Sequence, residues 1–352
     1  MNEQADIAAA SQFVVTSNHG FAAYAQDELR ALVPGTKFEP LIEDETYLMR
    51  IPLDREAAIR RITSHEPIFL RHMHPIDRTV GTSGTAEDVS LLADLAGQLF
   101  LDEFDGEIGK VTVQIRKAER YESEYSPAEL REAISGVLFE RCGVESVVKE
   151  AERIVSVFLS SGAAYIGVST SADNLSDWPG GAVRYRKEEG QVSRAKFKLL
   201  EAEYAFGLEL SRFRKALDIG AAPGGWTSLL LERGAEVTAV DPADLHPDLL
   251  GHPQLTYLKR NAGEVAFRSG SYDLLVCDMS WSPKQMIKLI LPLLDALRPG
   301  GAAVITLKLM HGKPFQTVKD SVRMMQPVMQ LRKAKQLFHN RDELTVYLQK
   351  IN

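Results

Sequence analysis

Cysteine is nearly absent: Cys142 and Cys277 are the only two among 352 residues. They form no Cys-x-x-Cys pair and no Cys/His cluster, so neither a disulfide framework nor a zinc site is expected, and the chain should fold without a metal. No run of about 18 uninterrupted apolar residues occurs, and "MNEQADIAAASQ" at the start lacks the cationic and apolar parts of a secretory signal. The expectation is a cytoplasmic chain with no membrane partner. A strong overall charge is also missing, but the modest net −7 divides unevenly. Residues 1–180 carry 16 Lys and Arg against 30 Asp and Glu, whereas the remainder carries 25 against 18. A basic C-terminal half favours a polyanionic partner such as RNA, and it is equally consistent with solvated faces.

What is present is a length sufficient for two or three cores and an apolar share of 45%, that of an ordinary globular protein. Residues 12–78 alternate as strand, helix, strand, strand, helix, strand, from "QFVVTS" to "IFLRHMHPI", the order of a ferredoxin-like unit. The Gly/Ser/Thr-rich stretch 79–88 is read as a separator, placing the first unit at 1–88. A second small α+β unit spans 89–170, and 171–190, "SADNLSDWPGGAVRYRKEEG", has the composition of a linker. A helix is expected from Ser193, a plausible N-cap. From there to residue 352 strands alternate with helices, implying a mostly parallel sheet with an antiparallel pair, "KQLFH" and "ELTVYLQKI" joined by "NRD", at one end.

The stretch "LDIGAAPGGWTSLLLERGAEVTAVD", 217–241, passes from an apolar strand through a glycine-rich turn into a helix and a second strand ending in Asp241. In open α/β sheets ligands bind beyond the carboxyl ends of strands, and an acid 21 residues after Gly220 is placed to bind a ribose diol. Pro223 breaks the Gly-x-Gly-x-x-Gly spacing, and no Gly-Lys-Ser/Thr follows. The expected ligand therefore carries a nucleoside without a phosphate chain.

"DIGAAPGGWT" resembles the first motif of FtsJ-like S-adenosylmethionine-dependent 2'-O-ribose RNA methyltransferases. "SRAKFKL" (193–199), "VCDMS" (276–280), "ITLKL" (305–309) and "RDELTV" (341–346) follow in that family's order. "LKLMHGKPF" and "QLFHNRDELTVYL" are most similar to the bacterial members that methylate a cytidine of 23S rRNA. The resemblance implies a Rossmann-like methyltransferase domain at 191–352, preceded by ferredoxin-like and THUMP-like units, S-adenosyl-L-methionine as cofactor, and 23S rRNA or a ribosome assembly precursor as partner. It is specific across 193–346 and rests mainly on element order before 170.

The family's Lys-Asp-Lys-Glu set falls on Lys198, Asp278, Lys308 and Glu343. A hydroxyl is a poor nucleophile at neutral pH, so its methylation needs a base and close positioning, and a lysine serves if burial or a neighbouring cation lowers its pKa. The resemblance makes Lys308 the base, Asp278 its orienting partner beside the methyl, Lys198 the second cation and Glu343 the anchor of the lysines. Asp342 could replace Glu343 after a one-residue shift, and Lys198 by position alone reads as a solvated helix residue. Cofactor contacts carried over in the same way are Asp218, Gly220, Ala221, Pro223, Gly224, Gly225, Trp226, Asp241, Asp278 and Asn261, the last standing where the family has an aspartate that contacts adenine. Trp226 could equally be helix–sheet packing.

Cys277 precedes Asp278 in an apolar strand and reads as a core residue rather than a nucleophile. Candidate RNA contacts are Arg184, Tyr185, Arg186 and Lys187 in the linker, Ser193 and Arg194, Lys313, and Arg332, Lys333 and Lys335, where basic and aromatic residues interleave. The competing readings are a 2'-O-methyltransferase of tRNA or other RNA, the same chemistry on a small molecule, and an inactive methyltransferase-like protein that only binds RNA.

Overall fold

The computed structural model describes residues 10–103, 109–186, 190–310 and 312–351. The chain divides into two compact units, Met1–Ala182 and Val183–Asn352. No described helix is long and apolar enough to cross a membrane, and no group of three or more His, Cys, Asp or Glu among the described residues could hold a metal.

The first unit holds two sheets. Strands β1 (Ser11–Ser17), β2 (Lys37–Ile42), β3 (Thr46–Ile51) and β4 (Leu70–Pro75) pair antiparallel in the order β2-β3-β1-β4, with α1 (Ala22–Leu32) and α2 (Arg55–His65) in the connections. This is the expected β-α-β-β-α-β order. Asp54 caps α2 by accepting the Ala57 N–H at 2.8 Å. Phe13, Val15, Met49, Leu70 and Met73 meet Leu29, Ala58 and Ile62 in one core.

The second sheet, ordered β5-β9-β8-β6-β7, contains β5 (Arg78–Gly81), β6 (Lys110–Lys117), β7 (Glu145–Ser146), β8 (Arg153–Ser160) and β9 (Ala163–Ser169). Helices α3 (Glu87–Glu103) and α4 (Pro127–Cys142) supply its core from Leu92, Ala96, Leu130, Ile134 and Leu138. A reciprocal Ser126–Glu129 cap starts α4, and Gly143, at φ 67°, ends it. Two sequence readings change here. Arg78–Gly81, mostly inside the expected separator, is an edge strand paired with β9. Residues 171–182 of the expected linker are held within the unit: Asn174 is fully buried, and the Gly180 carbonyl accepts from Arg71 Nε at 2.9 Å.

A polar layer separates the two sheets of this unit. Arg116 on β6 donates to the Thr16 and Thr46 hydroxyls at 2.8 and 3.0 Å, while Arg71 on β4 reaches Asn18 at 2.8 Å. His72 and His74, also on β4, are 1% and 2% exposed. Gly167 on β9 permits the contact between sheets, because a Cβ there would lie 1.9 Å from the Pro75 carbonyl oxygen.

In the second unit, α5 (Lys196–Ala205) is followed by β10 (Lys215–Ile219), α6 (Gly225–Glu232), β11 (Glu236–Val240), β12 (Leu255–Leu258), β13 (Tyr272–Cys277), α7 (Pro283–Ile290), β14 (Leu297–Lys308), α8 (Pro314–Met325), β15 (Met329–Lys335) and β16 (Glu343–Lys350). The sheet runs β12-β11-β10-β13-β14-β16-β15, parallel from β12 to β14, with β16 antiparallel to both its neighbours. It is a doubly wound, Rossmann-like sheet whose antiparallel strand is inserted next to the edge. The run "LLVC" in β13 is fully buried, as a strand covered on both faces requires.

Two local expectations give way in this unit. Helix α5 begins at Lys196, so Ser193 is not its N-cap; instead the Ser193 hydroxyl accepts the Ala195 N–H at 3.2 Å. The strand before β16 is Met329–Lys335, and "KQLFH" lies mostly in the connection beyond it. Helix α7 ends at Ile290, and the chain continues as a tight 3-10 segment into β14.

Candidate active site

From β10 the chain moves outward to β11 on one side, while β13 pairs on the other. In sheets of this kind ligands bind beyond the carboxyl ends of the strands at that reversal, here the ends of β10 and β13. The turn after β10 fills this position. Gly220, at φ 77°, donates its N–H to the Val240 carbonyl at 2.9 Å, and a side chain there would strike Met279, whose Cγ would be 2.4 Å away. Asp241 ties the turn to β11, accepting the Ala222 N–H at 3.1 Å and the Ala243 N–H at 2.8 Å. The Pro223 carbonyl accepts from His246 at 2.9 Å. Ala221 is buried beneath the turn.

Gly224 and Gly225 open α6, which has no side-chain cap at its N-terminus. Their lack of a Cβ also serves packing: Leu249 would meet a Gly224 Cβ at 2.2 Å, and Ser193 and Lys196 would meet one on Gly225 at 3.0 Å. Trp226 is buried in the core and donates its indole N–H to the Ala195 carbonyl at 2.9 Å, the arrangement of a packing residue.

Acids surround the turn. Asp218 is 1% exposed and accepts from the Thr227 hydroxyl at 2.6 Å. Burial pushes its carboxyl up to about 7 despite that hydrogen bond, with Asp278 and Asp241 adding to the rise. Asn261, beyond β12, is exposed and donates to Glu264 at 3.0 Å. Three carboxylates around one turn, and no lysine or arginine within it, suit a ligand offering hydroxyl donors and a positive group. They oppose a phosphate chain.

The groups expected to react lie at the neighbouring strand ends. Lys198 projects from α5, and its Nζ lies 3.0 Å from Asp278 Oδ1 and 2.6 Å from Glu343 Oε2. Burial works against the Lys198 charge, but Asp278 and Glu343 outweigh it and hold the ammonium above the usual lysine range. Lys198, Asp278 and Glu343 are therefore in direct contact. Lys308 ends β14 at the position opposite Glu343 in the antiparallel pair. Directly opposed residues share a face of the sheet, so its exposed amine stands on the side of Glu343. Among the described residues it makes no ion pair. Asp342 is exposed and contributes only its carbonyl, which accepts the Leu309 N–H at 2.7 Å.

Two residues absent from the sequence reading complete this arrangement. Thr306 donates its hydroxyl to Asp278 Oδ1 at 2.7 Å. It precedes Lys308 by two in β14, and the two-residue strand period marks it as a member of the same face. Glu201, one helical turn after Lys198, is 4% exposed and accepts the Phe338 and His339 N–H groups at 2.7 and 2.9 Å. It thereby fixes the connection that leads into Glu343.

Cys277 is fully buried, and burial pushes its thiol well up, so it behaves as a core residue. Of the RNA-contact candidates, Arg184, Arg186, Arg194 and Lys313 are exposed, and Tyr185 stacks on His339 with ring centroids 5.5 Å apart. Arg332 is held by Gln349 Oε1 at 2.6 Å, and Lys333 and Lys335 are half-buried on β15. Lys187 lies outside the described residues.

Residues 191–339 match the model of the FtsJ-like methyltransferase family. Those residues form a domain similar to FtsJ-like methyltransferases. It is 36% identical over 177 residues to "Ribosomal RNA large subunit methyltransferase M" of Halorhodospira halophila, covering 49% of this chain and 52% of that protein. The protein of the same name from Laribacter hongkongensis is 37% identical over 186 residues, covering 49% of this chain and 51% of the relative. In these two alignments the chain spans about half the length of its curated relatives. A third namesake, from Psychromonas ingrahamii, aligns over 85% of this chain and 84% of its own length at 26% identity.

Proposed function

We propose that this protein methylates the 2'-hydroxyl of a ribose in RNA, a cytidine of bacterial 23S rRNA being the acceptor, with S-adenosyl-L-methionine as donor. The reading is carried by one observation: Lys198 is clamped between Asp278 and Glu343, at strand ends bordering the acid-ringed glycine turn. The FtsJ-like match over 191–339 and the rRNA methyltransferase names of the relatives support it.

The bound cofactor supplies an electrophilic methyl group on a sulfonium. Asp241 would take the ribose diol, the Gly220–Gly225 turn would accommodate the nucleoside, and Asp218, with Asp278 beside it, would face the positive end. Asn261 would contact the adenine edge with its amide. Lys198, oriented by its two carboxylates, donates to the acceptor hydroxyl and holds it in line with the methyl. Lys308, as its neutral amine, would take the hydroxyl proton while the methyl passes to the ribose oxygen. Asp278 would balance the charge of Lys198 and, once the proton has been taken, that of Lys308, and Thr306 keeps its carboxylate from turning. Arg184, Arg186, Lys187, Ser193, Arg194 and Lys313 would meet the RNA strand, and the first unit would serve as its ferredoxin-like and THUMP-like RNA-binding part.

The test is incubation with S-adenosylmethionine labelled in the methyl group and large-subunit rRNA lacking the modification. Label in an alkali-resistant dinucleotide containing a methylated cytidine ribose is expected. Label in tRNA alone would move the assignment to another RNA, and binding without label would leave an inactive RNA-binding protein.

A further inference from the structure

The loops that leave β13 and β14 carry apolar side chains that the chemistry above does not use. Trp281, three residues past Asp278, is 50% exposed, and Met310, two past Lys308, is likewise 50% exposed. The two loops emerge side by side, because Cys277 pairs with Ile305 in the parallel ladder and the Thr306 hydroxyl bridges to Asp278. Three residues of chain reach at most ~10 Å, so the Trp281 indole stays close to the carboxylate at the end of its strand. A half-exposed indole at the edge of a reaction site offers a broad π-face to whatever binds there.

The surroundings identify the chemistry of what binds. Helices α7 and α8, which follow the two loops, have no acidic residue in their first turns. Lys284 and Lys313 stand there instead, both exposed. An aromatic face flanked by cations at helix N-termini complements a π-surface joined to phosphates, the pattern by which unpaired nucleotides are held. A protein partner's apolar side chain would fill the aromatic site but leave the lysines without counter-charges.

We infer that Trp281 is the stacking platform for an unpaired base of the RNA, at or next to the nucleotide being methylated, with Lys284 and Lys313 on the adjoining phosphates. This rests on the proposed reaction and adds to it the way in which the acceptor strand is seated. Trp281 is a positioning residue: it touches the base and leaves the transfer to others.

The full chain is assayed on the 23S rRNA substrate as wild type, Trp281→Ala and Trp281→Phe. Loss of a stacked base should raise the KM for RNA about 5- to 100-fold in W281A, with kcat and the S-adenosylmethionine affinity within about threefold. W281F should recover most of the affinity, since a phenyl ring still stacks. Independently, a single-stranded oligocytidylate should quench the tryptophan emission of the wild type and not that of W281F. An unchanged KM in W281A with active wild type would overturn the inference and leave the proposed reaction standing. Absence of methyl transfer by the wild type would remove the reaction, and the oligocytidylate titration would still decide whether Trp281 holds a base. Quenching that follows protein concentration rather than oligonucleotide would assign the surface to a second copy of the chain and sink the inference.

Discussion

The buried histidines of the first unit make it acid-sensitive in a way that can be calculated. His74 is 2% exposed, and burial lowers its pKa from 6.5 to about 4, opposed by its hydrogen bond to the Pro75 carbonyl and reinforced by the Arg116 charge. His72 is held well below 6.5 by burial and by His74, Arg116 and Arg71, and neither of its ring nitrogens has a protein partner. A base whose pKa is lower in the folded state binds protons preferentially when unfolded. Stability is therefore whole above about pH 6.5 and falls as the pH drops toward 4. For His74 the interval from 6.5 to about 4 corresponds to about 3 kcal/mol, of which about 2 kcal/mol is lost by pH 5. Urea unfolding of the full chain near pH 7 and near pH 5 measures the loss, and hydrogen exchange of peptides from β4 and β9 localises it. In His74→Asn the amide can still donate to the Pro75 carbonyl but cannot titrate, so the variant should lose about 2 kcal/mol less than wild type over that interval. Equal losses in the two proteins would refute the assignment of the acid sensitivity to His74.

The Lys198 cluster, the neighbouring Lys308, the buried Asp218 and the close-packed Gly167 give four further tests. Lys308→Met should abolish methyl transfer while S-adenosylmethionine affinity, measured calorimetrically, stays nearly unchanged, and retained turnover would contradict the role of Lys308. Lys198→Ala should reduce kcat about 100-fold or more, because Asp278 and Glu343 then face each other without the cation between them. Asp218 has a raised carboxyl pKa, so its burial costs stability as the pH rises from 3.8 to about 7, by at most about 4 kcal/mol. Asp218→Asn should remove that slope in urea titrations of the ligand-free protein, and an unaltered pH profile would show that Asp218 is not the group responsible. Gly167→Ala should destabilise the first unit by about 3 kcal/mol or more, since its Cβ would lie 1.9 Å from a backbone oxygen that cannot swing away; a cost below about 1 kcal/mol would mean that β9 and β4 separate easily.

Where local chemistry dictated structure, the sequence could be read directly. The glycine turn after β10 and the acid at the end of β11 each announce themselves within a few residues. The end strands were harder. In β15 a register shift between Leu331 and Lys333 breaks the alternation, and an edge strand tolerates the polar side chains that "MQLRKAK" presents. The apolar "QLFH" that follows suggested a strand; it is apolar because Leu337 enters the core and Glu201 draws in the backbone of Phe338 and His339. Arg78–Gly81 was hidden for the same reason, as a four-residue edge strand that is mostly exposed.

The least legible features are those in which one residue type serves two purposes. A glycine that permits ligand approach and one that permits close packing look alike in sequence, and Gly224 and Gly225 are already accounted for by Leu249, Ser193 and Lys196. Gly220 differs, because what lies over it is the Met279 side chain, one residue beyond Asp278. That side chain is flexible, and its position ties the glycine turn to the strand end that carries Asp278. The same four-residue passage therefore presents Asp278 to Lys198, Met279 to the turn and Trp281 to solvent. Donor, acceptor hydroxyl and nucleobase would meet around this short segment, and a change in its length should disturb all three contacts together where a point substitution disturbs one.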